Sequence, residues 1–212
     1  MDVLNSSKSP LGLHERAIEV ALDLLDDMQS ITPGISDVAE TLDCDEARLR
    51  NLFGSDNGLL IAAVEQALIL LIDACTKSTV RVDPNDPVAQ FTAIGDAYLE
   101  WADAHRAQFR LMSDERLMAV LKEPRLRRYL DALAELMKRL LKRARDNGQL
   151  HPKEDIDMMV LSSRCFAYGM ARMIVDGRMQ EWAPGHDPLD IAKALTRDFV
   201  RRMARSSVPQ SV

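Results

Sequence analysis

Arg48 and Arg50 are the side chains whose chemistry is most readily named from their position, because they lie on a short segment between two turn signals. A guanidinium can grip a guanine edge or a phosphate through parallel hydrogen bonds. Asn51 on the same segment, Ser55 just after it and Thr32 upstream add polar groups and complete the candidate DNA contacts. A solvated helix face, with the arginines paired to Glu46 or Asp45, is the competing reading of the same residues. No nucleophile with a base and an orienting group is visible, nor is a phosphate-binding loop, so an enzyme is not expected.

These residues need elements to hold them, and the stretch from Gly34 to Leu60 supplies a pattern of two short helices, a tight turn and the start of a third helix. Ile35, Val38, Ala39 and Leu42 share one helical face, and Leu49, Leu52 and Phe53 are expected to form the inward stripe of the next segment. Asp45 is placed to cap the second helix, and Ser55 with Asp56 the third, because a short side-chain oxygen there accepts an otherwise unpaired backbone N–H. The pattern is a helix-turn-helix.

At these positions the sequence resembles the TetR family of transcription regulators, whose signature runs from an Asp-Ile-Ala step into GVSxGTLYxYFxSKExLL. Asp37-Val38-Ala39 stands at the first step, Leu49 and Phe53 at the Leu and Phe, Ser55 at the Ser, and Leu59-Leu60 at the Leu pair. The DNA-facing positions depart from it. Asp45 replaces the Ser, Ala47 the Gly, Arg48 the Thr, Arg50 the first Tyr, Asp56 the Lys and Asn57 the Glu. The resemblance implies an all-α protein, with an N-terminal three-helix helix-turn-helix unit and a larger C-terminal ligand-binding and dimerisation domain, about nine helices in all. The expected boundaries are a disordered 1–11, a DNA-binding unit at 12–58, a C-terminal domain at 59–206 and a flexible tail at 207–212.

Helical periodicity and breakers carry the rest of the chain. A first helix is expected over about Gly12 to Met28 and a long apolar one from Asp56 to about Thr79. The Pro-rich loop Val82–Pro87 precedes a helix ending near Ala104, and one or two short helices follow before Glu123. Further helices are expected over about 123–147, 155–177 and 189–204. In the family the last two form the dimer; the residues proposed for it are Ser163, Ala167, Ala171, Leu195, Phe199 and Met203. Completion of the monomer's own core is the alternative for these positions.

The family also binds a small molecule in its C-terminal domain, and the segments concerned carry Tyr98, Trp101, Phe109, Met112, Met118, Phe166, Met170 and Met173. Thioethers repack readily around different ligands, so a mostly apolar effector is expected, with Tyr98 and Arg172 as polar groups. A plain hydrophobic core would use the same residue types.

Charge complicates the DNA reading. Residues 1–60 carry four basic and twelve acidic side chains, a sum of −8, while the remainder carries 23 and 21, giving the net −6 of the 212-residue chain. DNA affinity rests on neutralising phosphates, which Asp43, Asp45, Glu46 and Asp56 would oppose. Basic residues instead gather between Lys122 and Asp146, where nine face four acidic ones. Two functions therefore compete: a homodimeric, effector-responsive regulator of operator DNA, expected to be a repressor, and a TetR-like sensor or antagonist with weak or lost DNA binding that acts through a protein partner.

Composition bounds the remainder. Hydrophobic residues make up 47% and aromatics 5%, with 11 Met, which suits helices packed by Leu, Ala and Met. Three widely spaced cysteines (Cys44, Cys75, Cys165) and four histidines without metal-ligand spacing indicate no disulfide framework, metal site or cofactor. MDVLNSSKSP has no signal-peptide features and no run of ~20 apolar residues is evident, so a cytoplasmic, non-membrane protein is expected.

Overall fold

The computed structural model describes residues 12–27, 32–114 and 120–207. Within them lie ten α-helices and a 3-10 turn at Val120–Lys122, with no strand among the described residues. The helices are α1 (Leu13–Asp27), α2 (Ile35–Thr41), α3 (Glu46–Phe53), α4 (Asp56–Val80), α5 (Pro87–Ala104), α6 (Arg106–Ser113), α7 (Pro124–Asp146), α8 (Ile156–Val175), α9 (Arg178–Trp182) and α10 (Pro188–Ser207). Residues 1–11, Met28, Met118 and the end of the expected tail at 208–212 lie outside the described residues. The additional helix relative to the expected nine is α9, a single short turn of helix entered through Gly177 in the left-handed conformation.

Helix boundaries follow local chemistry. Asp45 accepts from the Ala47 N–H at 2.9 Å and Ser55 Oγ from the Gly58 N–H at 3.1 Å, so α3 and α4 are capped as expected by these two, whereas Asp56 accepts from the Ile35 N–H of α2 instead. Asp86 and Asp155 cap α5 and α8 in the same way, accepting from Ala89 and Met158. Pro87 and Pro124 occupy the first turns of α5 and α7, where a missing N–H costs nothing.

The long helix α4 is the spine. Leu59 belongs to a first core with Ala17, Ala21, Ile35, Val38, Ala39 and Leu49, which closes the helix-turn-helix unit around α1. Leu60, Ala63, Val64 and Leu68 join a second core with Ile18, Leu22, Leu111, Val120 and Leu126. Ala67, Leu71 and Cys75 then enter the largest core, built by α5, α7, α8 and α10. By length and composition alone α4 could cross a membrane, contrary to the expectation from unbroken apolar runs; 44% of its most apolar window is buried inside the fold. Apolarity on this scale suits a helix that packs against five others, namely α1, α3, α5, α6 and α7.

Helix α5 is the second axis and packs on α4, α7, α8 and α10. Ser78 Oγ donates to the Ala93 carbonyl at 2.9 Å and Gln90 Nε2 to the Thr79 carbonyl at 3.3 Å, pinning α4 against α5. On the far side Arg197 of α10 forms a forked pair with Asp96 of α5, 2.8 Å from Nη2 to Oδ2. Two of the helices that line the C-terminal cavity, α4 and α10, are thereby fixed to α5.

Candidate DNA-binding surface and ligand cavity

The exposed face of α3 carries Arg48, Asn51 and Leu52 at helical neighbour spacing. Leu52 is 48% exposed and not part of the inward stripe expected from its spacing; Leu49 alone of α3 is fully buried, while Phe53 is half-buried and stacks on His14. A helix of two turns has room for little more than one buried ridge, and Leu49 occupies it. Arg50 is committed to Glu46, with Nε 2.7 Å from Oε1, so the solvated-pair reading holds for it. Arg48 is exposed and has no ion pair among the described residues. Ser55 is exposed but engaged as the α4 cap, and Thr32 is half-buried in the extended segment before α2.

Several of the acidic side chains have definite structural partners. Asp56 reaches back to the start of α2, where its Oδ1 accepts from the Ile35 N–H at 2.9 Å. Asp37 Oδ2 accepts from the Gly34 N–H at 2.7 Å, and Asp45 caps α3. Carboxylates at helix N-termini are stabilised by the orphan N–H groups and the helix dipole, so these residues fix the three-helix geometry. Their residue types look hostile to DNA; their positions serve the fold. The signal that would have shown this for Asp56 is a contact 21 residues away, invisible to local spacing.

The second site is a cavity of about 440 Å³ among α4 to α8 and α10. Leu71 of α4, Phe91, Ile94, Gly95 and Tyr98 of α5, and Met112 of α6 form one side. Leu130, Leu133 and Met137 of α7 face them, with Leu161, Ser163, Arg164, Cys165, Ala167 and Tyr168 of α8 and Thr196, Phe199 and Val200 of α10 closing the rest. Its size falls in the ordinary range for small-molecule sites, ~300–1,000 Å³.

Of the eight residues expected to bind ligand, Tyr98 and Met112 line this cavity. Trp101 and Phe109 are core residues, 3% and 1% exposed, and Met170 and Met173 pack against that core. Phe166 stacks on Phe199, ring centroids 4.5 Å apart, and Met118 lies outside the described residues. Arg172, expected as a polar group of the pocket, instead pairs with Asp176 at 2.8 Å.

The residues expected at a dimer interface divide in the same way. Ser163 is buried, its Oγ 3.9 Å from Met203 Sδ of α10, and Ala171 has no exposed surface and belongs to the chain's own largest core. Ser163, Ala167 and Phe199 line the cavity. Leu195 is 42% exposed, and the outward stripe of α8 carries Met158 and Leu161, 56% and 55% exposed. Among the described residues no group of three or more His, Cys, Asp or Glu could hold a metal.

The architecture is that of a helix-turn-helix unit joined by one continuous helix to a helical bundle enclosing an apolar cavity. The family described as tetracycline repressor-like, C-terminal domain, matches residues 91–199, just over half of the chain. The chain belongs to the TetR family of transcription regulators. No curated protein matches it. Similar solved structures include a protein of unknown function from Rhodococcus sp. RHA1, 20% identical over 94% of this chain and 100% of that one, with a TM-score of 0.74. The TetR family transcriptional regulator PfmR from Thermus thermophilus is 19% identical over 90% and 97%, with a TM-score of 0.68. The ketosteroid transcriptional regulator KstR2 of Mycobacterium tuberculosis is 16% identical over 95% and 98%, also at 0.68. At these identities the structures show a shared fold.

Proposed function

We propose that the protein is a homodimeric, effector-responsive repressor that binds operator DNA through α3 and is released when a small, mostly apolar molecule enters the C-terminal cavity. Residues 12–58 would act as the DNA-binding unit and 59–206 as the sensing and dimerising one. The observation that carries this reading is the continuity of α4. Leu71 lines the cavity and Leu59 is fully buried in the helix-turn-helix core, so one helix holds both over about 18 Å, at ~1.5 Å per residue. A ligand that displaces α4 at Leu71 changes the position of α3 without any other relay. Such control requires the effector to bind the two conformations with different affinity.

Dimerisation through α8 and α10 would present two α3 helices to successive major-groove half-sites. Met158, Leu161 and Leu195 offer the exposed apolar surface for it. Because Leu161 also borders the cavity, ligand and partner contacts adjoin. The test is a titration of the full-length protein against the duplex upstream of its own coding region, with and without compounds that raise its melting temperature. Binding as a dimer, lost on adding a stabilising compound, supports the proposal. DNA binding indifferent to every stabilising compound would contradict the effector response.

A further inference from the structure

The cavity wall is largely apolar, and its polar members are Tyr98, Ser163, Arg164, Cys165, Tyr168 and Thr196, whose Oγ1 is buried without a hydrogen-bond partner among the described residues. Among the described residues Arg164 is the only charged side chain in the wall, and no carboxylate lines it. Arg164 has no ion pair or hydrogen bond among the described residues, whereas Arg172, two turns further along the same helix, is held by Asp176. Tyr98 from α5 and Tyr168 from α8 share the wall with Arg164, and neither hydroxyl has a hydrogen-bond partner among the described residues. Burial raises the Tyr98 phenol above its usual range, the neighbouring Tyr168 adds to the rise and Arg164 counters part of it. Tyr98 therefore stays protonated as a donor near the guanidinium.

We infer that the effector is an apolar chain carrying a single carboxylate, its head group received by Arg164, Tyr98 and Tyr168 and its hydrocarbon running inward against Phe91, Ile94 and Met137. Two phenols and a guanidinium present only donors to an ionised carboxylate, which is an acceptor at both oxygens. Beyond Arg164 the wall has no charged side chain to pair with a second charge, and Phe91 and Ile94 are each 3% and Met137 7% exposed. Burying an unpaired charge among them would be strongly unfavourable. A neutral ligand would fill the same apolar volume while leaving the donors to water, and a cation would be repelled by Arg164. This inference rests on the cavity being the effector site, and it adds the sign and number of the ligand's charges.

Isothermal titration of the full-length protein with decanoate, 1-decanol and decylammonium, each below its aggregation concentration, separates these cases. Decanoate should bind about tenfold more tightly than decanol, the size of one charge-assisted hydrogen bond, with decylammonium weakest. Arg164→Gln should bring acid and alcohol to within about twofold of each other, the residue of an exposed ion pair. Arg164→Glu should reverse the order of acid and amine, an outcome that general destabilisation cannot produce; far-UV circular dichroism melts establish that both variants are folded. Equal affinity for acid and alcohol in the wild type, or an acid preference that survives Arg164→Gln, overturns the carboxylate assignment while leaving the cavity as a ligand site. Failure of all three probes to bind overturns both.

Discussion

Replacing Gly58 by Ala should loosen the helix-turn-helix unit selectively. A Cβ built on Gly58 lies 1.9 Å from the carbonyl oxygen of Phe53 and 3.1 Å from its carbon, and both belong to backbone. Taking ~3.5 Å as an ordinary contact, the end of α3 must retreat by roughly 1.5 Å. Phe53 cannot move freely, because it packs against two cores and stacks on His14 at 4.9 Å. Overpacking of this kind costs about 1–3 kcal/mol, and the clash with a carbonyl oxygen places it in the upper part of that range. Exchanging Gly for Ala in a helix returns at most ~1 kcal/mol, so a net loss of about 1–2 kcal/mol is expected. Hydrogen exchange should locate that loss in α2 and α3, with protection in α5 and α8 unchanged, and DNA affinity should fall with it. Gly169→Ala is the control, since its Cβ meets nothing within 4 Å in the chain. A Gly58→Ala protein as well protected in α3 as the wild type would refute the reasoning.

Association and buried chemistry give further tests. Leu161→Arg and Leu195→Arg should each weaken the proposed dimer by tenfold or more, since an unpaired buried charge costs about 3–5 kcal/mol, and sedimentation should move toward the 23.8 kDa monomer. Ala171→Leu should instead lower the unfolding free energy by about 1–3 kcal/mol, because that position is filled within the monomer. Burial pushes the Cys75 thiol from its ordinary 9.0 up to about 12. The folded state thus favours the protonated thiol, and its contribution, complete below pH 9, should be lost as pH rises from 9.0 through about 12. Urea titrations across that interval should show the decline missing in Cys75→Ala.

Much of the fold is legible because periodicity and caps are local. The residues Asp45, Ser55 and Pro124 mark helix starts wherever the chain goes, and the breakers at Thr32–Gly34 and Val82–Pro87 separate elements within a few residues of where they are observed. The site is less legible, for a physical reason. Ser163, Ala167 and Ala171 recur every four residues and announce a face made for close approach, but spacing does not say whether the neighbour is the chain's own α10 or another subunit. Met158 and Leu161, three residues apart on the same helix, are exposed instead. Trp101 and Phe109 group with Tyr98 as expected ligand contacts because aromatic residues fill cavities and cores alike. Arg164, unpaired at the cavity wall, carries no local signal at all; its significance comes from the absence of any carboxylate among the described residues of the cavity wall. Asp56 shows the converse, a charge that reads as a DNA liability until its bond to Ile35 is seen.

The most direct test of operator recognition by this acidic helix-turn-helix is the salt dependence of its binding to the duplex upstream of its coding region, followed by fluorescence anisotropy. With few basic side chains on the surface of residues 12–60, the logarithmic salt slope should be shallower than about −5, the value expected from roughly six phosphate contacts at ~0.9 each. Arg48→Ala should cost about 1–3 kcal/mol if the guanidinium reads a base edge, and Arg50→Ala much less, because Glu46 already holds Arg50. Asp45→Ser with Glu46→Lys keeps an N-cap on α3 while removing two negative charges, and should tighten binding and steepen the slope. A shallow slope that depends on Arg48 is the expected result. A steep wild-type slope, or indifference to Arg48→Ala, would contradict docking through α3; binding that appears only in the double replacement would favour a sensor acting through a protein partner.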